Sequence, residues 1–307
     1  MTIGIATRGP DAGLAALRIL QAVEALGSGA ISGFAVLHWR EADGHLAHAV
    51  TQDLGSRTLD LPEGWHRARH AAIISSGPNR PEPLIQFVPG DSEAGFVTGH
   101  RLPTSLLPDG RVINQAALAA MAAGTLDQAA LEAMLAEGPA MDAGLICLPI
   151  DGPVLAANAP RVDSRDDIGR FVHEADGITC AILHNSIHAA ALHGDALARA
   201  AGAIGVEVMG GAQAAHVLAF APERLPVHAA PREALEIDAA GTVIALHSAD
   251  PAYRGGRPRI TAIYESTPVI LQGRRVGRVM SEVFASLEPD CLLPGPRRAF
   301  VWVRETN

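Results

Sequence analysis

The sequence predicts an α+β protein in which hairpins of short apolar strands are interleaved with grouped helices. Three observations carry this prediction. Short apolar runs recur between tight turns marked by Gly, Pro, Asp and Asn. Segments with helical spacing fall in clusters between those runs. The composition is 48% hydrophobic but only 4% aromatic, so the core is built from Ala, Leu, Ile and Val, small side chains that let layers approach closely. A chain of 307 residues with 19% charge is long enough for a substantial core and too apolar for disorder over most of its length.

Residues 1–9 read as a strand at the head of the chain, in the middle of a sheet, with Thr2 directly behind Met1. Asp11 is expected to cap a helix whose Ala16, Ile19, Leu20, Val23 and Leu26 share a face and which stops at Gly27. Residues 27–30 read as a plain turn, residues 31–39 as a buried strand, and residues 45–52 as its hairpin partner. Residues 71–77 form a further strand, and the proline-dense residues 78–89 a loop without regular structure. A strand at 96–101 precedes another loop, and loops over a rigid sheet are where sites tend to sit; His100 and Arg101 are the candidate ligand contacts there. Asn114 is expected to cap a helix over 115–123 and Thr125 one over 126–137, followed by a hairpin of 143–148 with 154–158.

Residues 161–167 read as a solvated segment. A strand at 178–183 runs into His184-Asn185-Ser186, and a helix is expected from Ser186 to about Ala201. A helix start offers unpaired N–H groups and a positive dipole end, so Asn185 and Ser186 are candidates to hold a carboxylate or oxyanion. Residues 225–307 read as a C-terminal extension packed on a core of residues 1–224. It comprises a hairpin of 234–238 and 242–247 turning at 239–241, a basic loop at 253–259, strands at 260–264 and 269–272, a helix over 276–287 and a closing strand at 299–304.

Composition excludes several function classes. The net charge is −9 and every basic residue is Arg, clustered at most in pairs, which argues against a nucleic-acid or anionic-membrane partner and rules out lysine-based catalysis. No apolar run approaches ~20 residues and no signal peptide is present, so a cytoplasmic protein is expected. Cys147 and Cys180 lie in apolar runs and read as buried thiols. His184, His188 and His193 lack a shared helix face or a third ligand at a recognisable spacing, so neither metal nor cofactor is expected. Walker, dinucleotide-fingerprint, G-x-S-x-G and H-E-x-x-H motifs are absent. Ser75, Ser76 and Ser186 offer hydroxyls, but nothing in the sequence selects a triad.

The opening M-T-I-G-I-A-T-R-G-P resembles the M-T-F-S-I-V-A-x-D-P start of an uncharacterised bacterial family with an N-terminal-nucleophile hydrolase-like fold. Residues 96–158 are similar to the middle of that family: strand, loop, two helices, then strand–turn–strand. The resemblance implies a four-layer α-β-β-α sandwich. Gly9-Pro10 stands where the family has Asp-Pro, so any role of that carboxylate is lost.

Two functional classes are compatible with these readings. One is an amidohydrolase acting on linear amides. Thr2, freed by removal of Met1, would be the nucleophile, its α-amine (pKa near ~8) the base, and Asn185 an oxyanion donor. The other is a non-catalytic protein that keeps the fold and binds a small molecule or assembles with itself.

Overall fold

The fold, from a computed structural model, is described for residues 1–27, 31–189, 192–211, 215–220, 224–238, 242–253, 259–264, 266–279, 283–288, 291–294 and 300–303. It is α+β. The chain divides into two compact units, Met1–Gly211 and Ala212–Asn307.

The first unit runs β1 (Thr2–Arg8), α1 (Ala12–Leu26), β2 (Ala35–Arg40), β3 (Leu46–Thr51), β4 (His70–Ser76), β5 (Gly90–Asp91), β6 (Gly95–Arg101), α2 (Ile113–Ala122) and α3 (Gln128–Leu135). It continues with β7 (Ala143–Pro149), β8 (Leu155–Asn158), α4 (Pro160–Asp163), β9 (Ile168–Ala175), β10 (Ile178–Asn185) and α5 (Asp195–Met209). One sheet has the order β3-β2-β4-β1-β10-β9 and the other β5-β6-β7-β8, both antiparallel throughout. The opening strand is central, as the sequence predicts, and six of its seven residues are buried.

One apolar cluster joins the two sheets, with Ala6, Ala72, Ile74, Ala181 and Leu183 from the first and Phe96, Ile146 and Leu148 from the second. The sheets also meet through backbone. Thr98 Oγ1 donates to the Ile73 carbonyl at 3.0 Å, and a Cβ added to Gly4 would lie 2.4 Å from the Gly99 oxygen. A second cluster sets Val97, Leu145, Cys147 and Leu155 of the smaller sheet against Ile113, Ala117, Leu131 and Leu135 of α2 and α3. Gly205 of α5 leaves room for Ile19 of α1, whose Cδ1 would be 2.4 Å from an added Cβ.

Several boundaries differ from the sequence reading. Asp11 stands at the α1 N-cap but in the left-handed region (φ 52) and makes no side-chain cap. Asn114 is buried within α2 and donates to the Gln86 carbonyl at 2.8 Å, while Val112 holds the cap position. Thr125 Oγ1 turns back to the Ala120 carbonyl, closing α2, so Asp127 caps α3 instead by accepting from Ala130 N at 2.8 Å. Residues 161–167 are not simply solvated, since α4 buries Val162 completely. The sequence does not mark the strand β9, because an edge strand is half exposed and its polar residues mask the alternation. Within 78–89, Leu84–Phe87 makes a 3-10 turn with Leu84 and Phe87 buried. The turns expected at 28–30 and 239–241, and the loop at 254–258, lie outside the described residues.

The second unit is a sheet of β11 (Ala215–Phe220), β12 (Leu225–Ala229), β13 (Ala234–Ile237), β14 (Thr242–Ser248), β15 (Arg259–Ile263), β16 (Pro268–Leu271), β17 (Arg274–Val279), β18 (Val283–Glu288), β19 (Cys291–Pro294) and β20 (Phe300–Val303). Its core includes Leu225, Leu235, Val243, Val269 and Val279. The helix expected over 276–287 is instead β17 and β18. Val276, Val279 and Val283 are buried and β-branched, and such residues favour the pleated sheet. No helix among the described residues is long and apolar enough to cross a membrane.

Candidate functional site

The start of β1 and the ends of β4 and β10 bring three polar side chains together. Thr2 is in register with Ser76 on one side and Asn185 on the other. Alternation along the strands puts all three on the face that carries Ala6, Ile74 and Leu183, the face packed toward the second sheet. Thr2, Ser76 and Asn185 are all buried. On β6, His100 shares its parity with Phe96 and Thr98, which face the first sheet, so its imidazole comes to the same end of the gap.

The hydrogen bonds order this cluster. Arg80 Nη2 donates to Ser76 Oγ at 2.7 Å, and Ser76 Oγ donates to the Met1 carbonyl at 2.5 Å. Thr2 Oγ1 lies 3.1 Å from the same Ser76 oxygen. Asn185 Nδ2 donates to Ser186 Oγ at 3.0 Å, which donates to Asp167 Oδ2 at 2.6 Å. Arg165 grips that carboxylate with both Nε and Nη2, and these bonds hold the Asp167 pKa down to about 2. Arg101 is paired in the same two-pronged way with Asp142, which keeps that carboxyl below its usual range. Arg101 (φ 63) and Ser186 (φ 54) both take the left-handed conformation as their strands end.

Ser186 therefore belongs to the site for a different reason than expected. The helix expected from Ser186 starts at Asp195, behind Gly194. Asp167 accepts both the Ser186 hydroxyl and, through its carbonyl, the Ser186 N–H at 2.7 Å, which turns the chain away from helix. The expected helix-end anion site at Asn185–Ser186 does not form.

His100 is fully buried. Its Nε2 lies 2.8 Å from Asn158 Oδ1, and the Asn158 amide is oriented by donating from Nδ2 to Asp163 Oδ1 at 2.9 Å. Nε2 therefore carries the proton and Nδ1 presents a bare lone pair. With the ring neutral, neither Nδ1 nor the neighbouring Asn185 Oδ1 has a donor, and only a protonated ring would bond to the Asn185 side chain. Two buried acceptors thus stand beside Thr2 without a donor. Gly144 makes the arrangement possible, because a Cβ there would sit 2.1 Å from Asn158 Oδ1 and 2.3 Å from His100 Nε2.

The field at the head of β1 is positive. Partial burial lowers the pKa of the chain's amine below its usual value; Arg80, then Arg101, and more weakly Arg165 act in the same sense, and Asp167 opposes them. An amine at this point is biased toward its neutral, basic form.

Residues 2–218 match the family model described as Domain of unknown function (DUF6963). The chain belongs to that family. Residues 224–297 match a second model, Domain of unknown function (DUF7259). No curated protein and no solved structure matches the chain. Every site residue named above except Met1 falls inside the DUF6963 span.

Within that span, the sequence-predicted Thr2, Asn185, His100, Arg101 and Ser186 converge. Sequence reasoning missed Arg80, Asn158, Arg165 and Asp167, and it had no means to select Ser76. Each stands in a loop or at a strand end far from Thr2 in the chain, and only the Arg165-x-Asp167 spacing was a local signal. Among the described residues no group of three or more His, Cys, Asp or Glu could hold a metal ion. Cys147 and Cys180 are buried, and burial pushes both thiols up to about 12, which leaves them inert.

Burial gives the DUF6963 span a pH signature. It lowers the pKa of His38 and of His100 from 6.5 to about 4. Between those values the unfolded chain binds protons that the folded chain refuses, so stability falls as pH drops through this window. Each imidazole contributes a slope of up to about 1.4 kcal/mol per pH unit. Urea unfolding between about pH 7 and about pH 4.5 should record that decline, and His100→Gln should make it shallower. A midpoint constant across the window would contradict the burial of both rings.

Proposed function

We propose that the DUF6963 span is an amide hydrolase of the N-terminal-nucleophile type, built as a four-layer α-β-β-α sandwich and acting on small linear amides. The layering is supported by the two clusters, one between the sheets and one between the smaller sheet and α2 and α3, together with the packing of α1 and α5. The observation that carries the reaction is the setting of Thr2. Its hydroxyl lies at the head of a central strand, where partial burial and then guanidiniums lower the pKa of the Met1 amine and two buried acceptors lack a donor.

In this reading, removal of Met1 exposes the Thr2 α-amine. The amine takes the proton from Oγ1, and Oγ1 attacks the substrate carbonyl. Asn185 Nδ2 stabilises the resulting oxyanion. The C–N bond then breaks, and the leaving nitrogen takes the proton back from the Thr2 ammonium. Water activated by the same amine cleaves the ester, returning Thr2 and releasing the acid. His100 Nδ1 and Asn185 Oδ1 suit the N–H groups of an amide, the donors that this corner lacks. Burial of the Met1 carbonyl against Ser76 favours a second reading, in which a chain that keeps Met1 binds an amide without cleaving it.

Intact mass of the protein from its native host, paired with hydrolysis of a panel of linear amides, tests the proposal. The expected result is loss of Met1 with turnover of at least one panel member. A native protein that keeps Met1, or a processed one that cleaves none of the panel, would refute it.

A further inference from the structure

We infer that Arg80 anchors a carboxylate on the substrate, so that the site selects linear amides carrying one negative charge. The inference rests on the Thr2 reading for the reaction and on Arg80 itself for the charge. Three guanidiniums act on the head of β1, and two of them are already taken: Arg101 by Asp142 and Arg165 by Asp167, each through two hydrogen bonds. Arg80 has no carboxylate partner among the described residues. A planar guanidinium is matched to a carboxylate, which it binds through parallel N–H donors.

Arg80 is also held in place. Gln52 clasps its backbone from both sides, Nε2 donating to the Arg80 carbonyl at 2.7 Å and Oε1 accepting from Arg80 N at 3.1 Å. Its Cζ lies 5.8 Å from the centroid of the Phe34 ring, which favours a cation over its face. Glu82, the nearest acid along the chain, is engaged instead by Gln52 Nε2 and by Leu84 N. Arg80 Nη2 spends one donor on Ser76 Oγ, itself 3.1 Å from Thr2 Oγ1, so the cation stands two hydrogen bonds from the nucleophile. The paired guanidiniums are neutralised, and the one unpaired charge is matched by a monoanion. A phosphate dianion would leave a charge uncompensated beside Asp142 and Asp167.

The test uses the full chain. Processed protein is expected to hydrolyse succinamate at least 100-fold more efficiently than butyramide. Arg80→Gln should remove most of that preference through KM, and Arg80→Lys should restore part of it. Arg111→Gln, at an exposed arginine paired with Asp109, should leave the preference unchanged. Independently of turnover, calorimetric titration should detect binding of levulinate, a monoanion with a ketone in place of the amide, that weakens at least tenfold in Arg80→Gln. The unfolding midpoint of each variant is checked, and if Arg80→Gln does not fold, Arg80→Lys carries the comparison. Equal hydrolysis of both amides, levulinate binding indifferent to Arg80 or absent, or tighter binding of inorganic phosphate would overturn the inference. Arg80-dependent levulinate binding without hydrolysis of any amide would keep the anion site and sink the Thr2 reading. Hydrolysis without any charge preference would do the reverse.

Discussion

Thr2→Ala is expected to lower amide hydrolysis by at least about 10³-fold while leaving the fold intact. Removing the hydroxyl leaves the ester with no atom to form on, so the residual rate comes only from binding and the oxyanion donor. The fold has little to lose. Among the described residues Thr2 Oγ1 meets Ser76 Oγ, which keeps its bond to Arg80 Nη2. Thr2→Ser keeps the nucleophile and the amine and should stay within about tenfold of the native rate. Both comparisons need the N-terminus of each variant established by intact mass, because a retained Met1 blocks the amine. Unchanged hydrolysis in Thr2→Ala would transfer the chemistry elsewhere.

Gly4→Ala is expected to cost about 3 kcal/mol or more of stability and to abolish whatever the site does. Overpacking of a core by a methyl group costs roughly 1–3 kcal/mol when side chains can move aside. Here they cannot. The added Cβ would lie 2.4 Å from the Gly99 oxygen and 2.7 Å from its carbon and nitrogen, all of them backbone within a paired strand. Relief requires the sheets to part, which stretches the Thr98–Ile73 bond and opens the apolar cluster between them. Thr2 and His100 stand immediately beside this contact on their respective strands, so the same separation pulls the site apart. Urea unfolding of the full chain measures the loss. A midpoint within about 0.5 kcal/mol of native would mean that the sheets are not in backbone contact there.

Much of the first unit could be read from the sequence because its central strands are apolar on both faces. The runs at 1–9, 71–77 and 143–148 have no polar alternation to confuse, and α1 carries an unbroken apolar stripe. Sequence reasoning fails where burial is one-sided or where competing hydrogen bonds decide. Edge strand β9 alternates with Arg170 and Glu174, and the Val-rich segment from Val276 carries a helical spacing that the sheet overrides. Thr125 and Asn114 are good caps by residue type, yet each hydroxyl or amide finds a nearer acceptor. The site is legible in part for an analogous reason. Thr2 is marked by its position, and Asn185 by the end of an apolar strand. Arg80, Asn158 and Asp167 are not, because strand pairing across the sheets brings them in from other parts of the chain.

The two left-handed residues, Arg101 and Ser186, have a bearing on how such a molecule diversifies. Each sits at the point where a strand stops, one residue beyond His100 and Asn185, and each turns the chain sharply out of its sheet. A sharp break decouples the strand before it from the loop beyond it. Insertions, deletions or new side chains in those loops can accumulate without displacing the imidazole or the amide upstream. The architecture thus separates a fixed workbench from interchangeable tooling, and novelty in ligand choice can arise by swapping the latter alone.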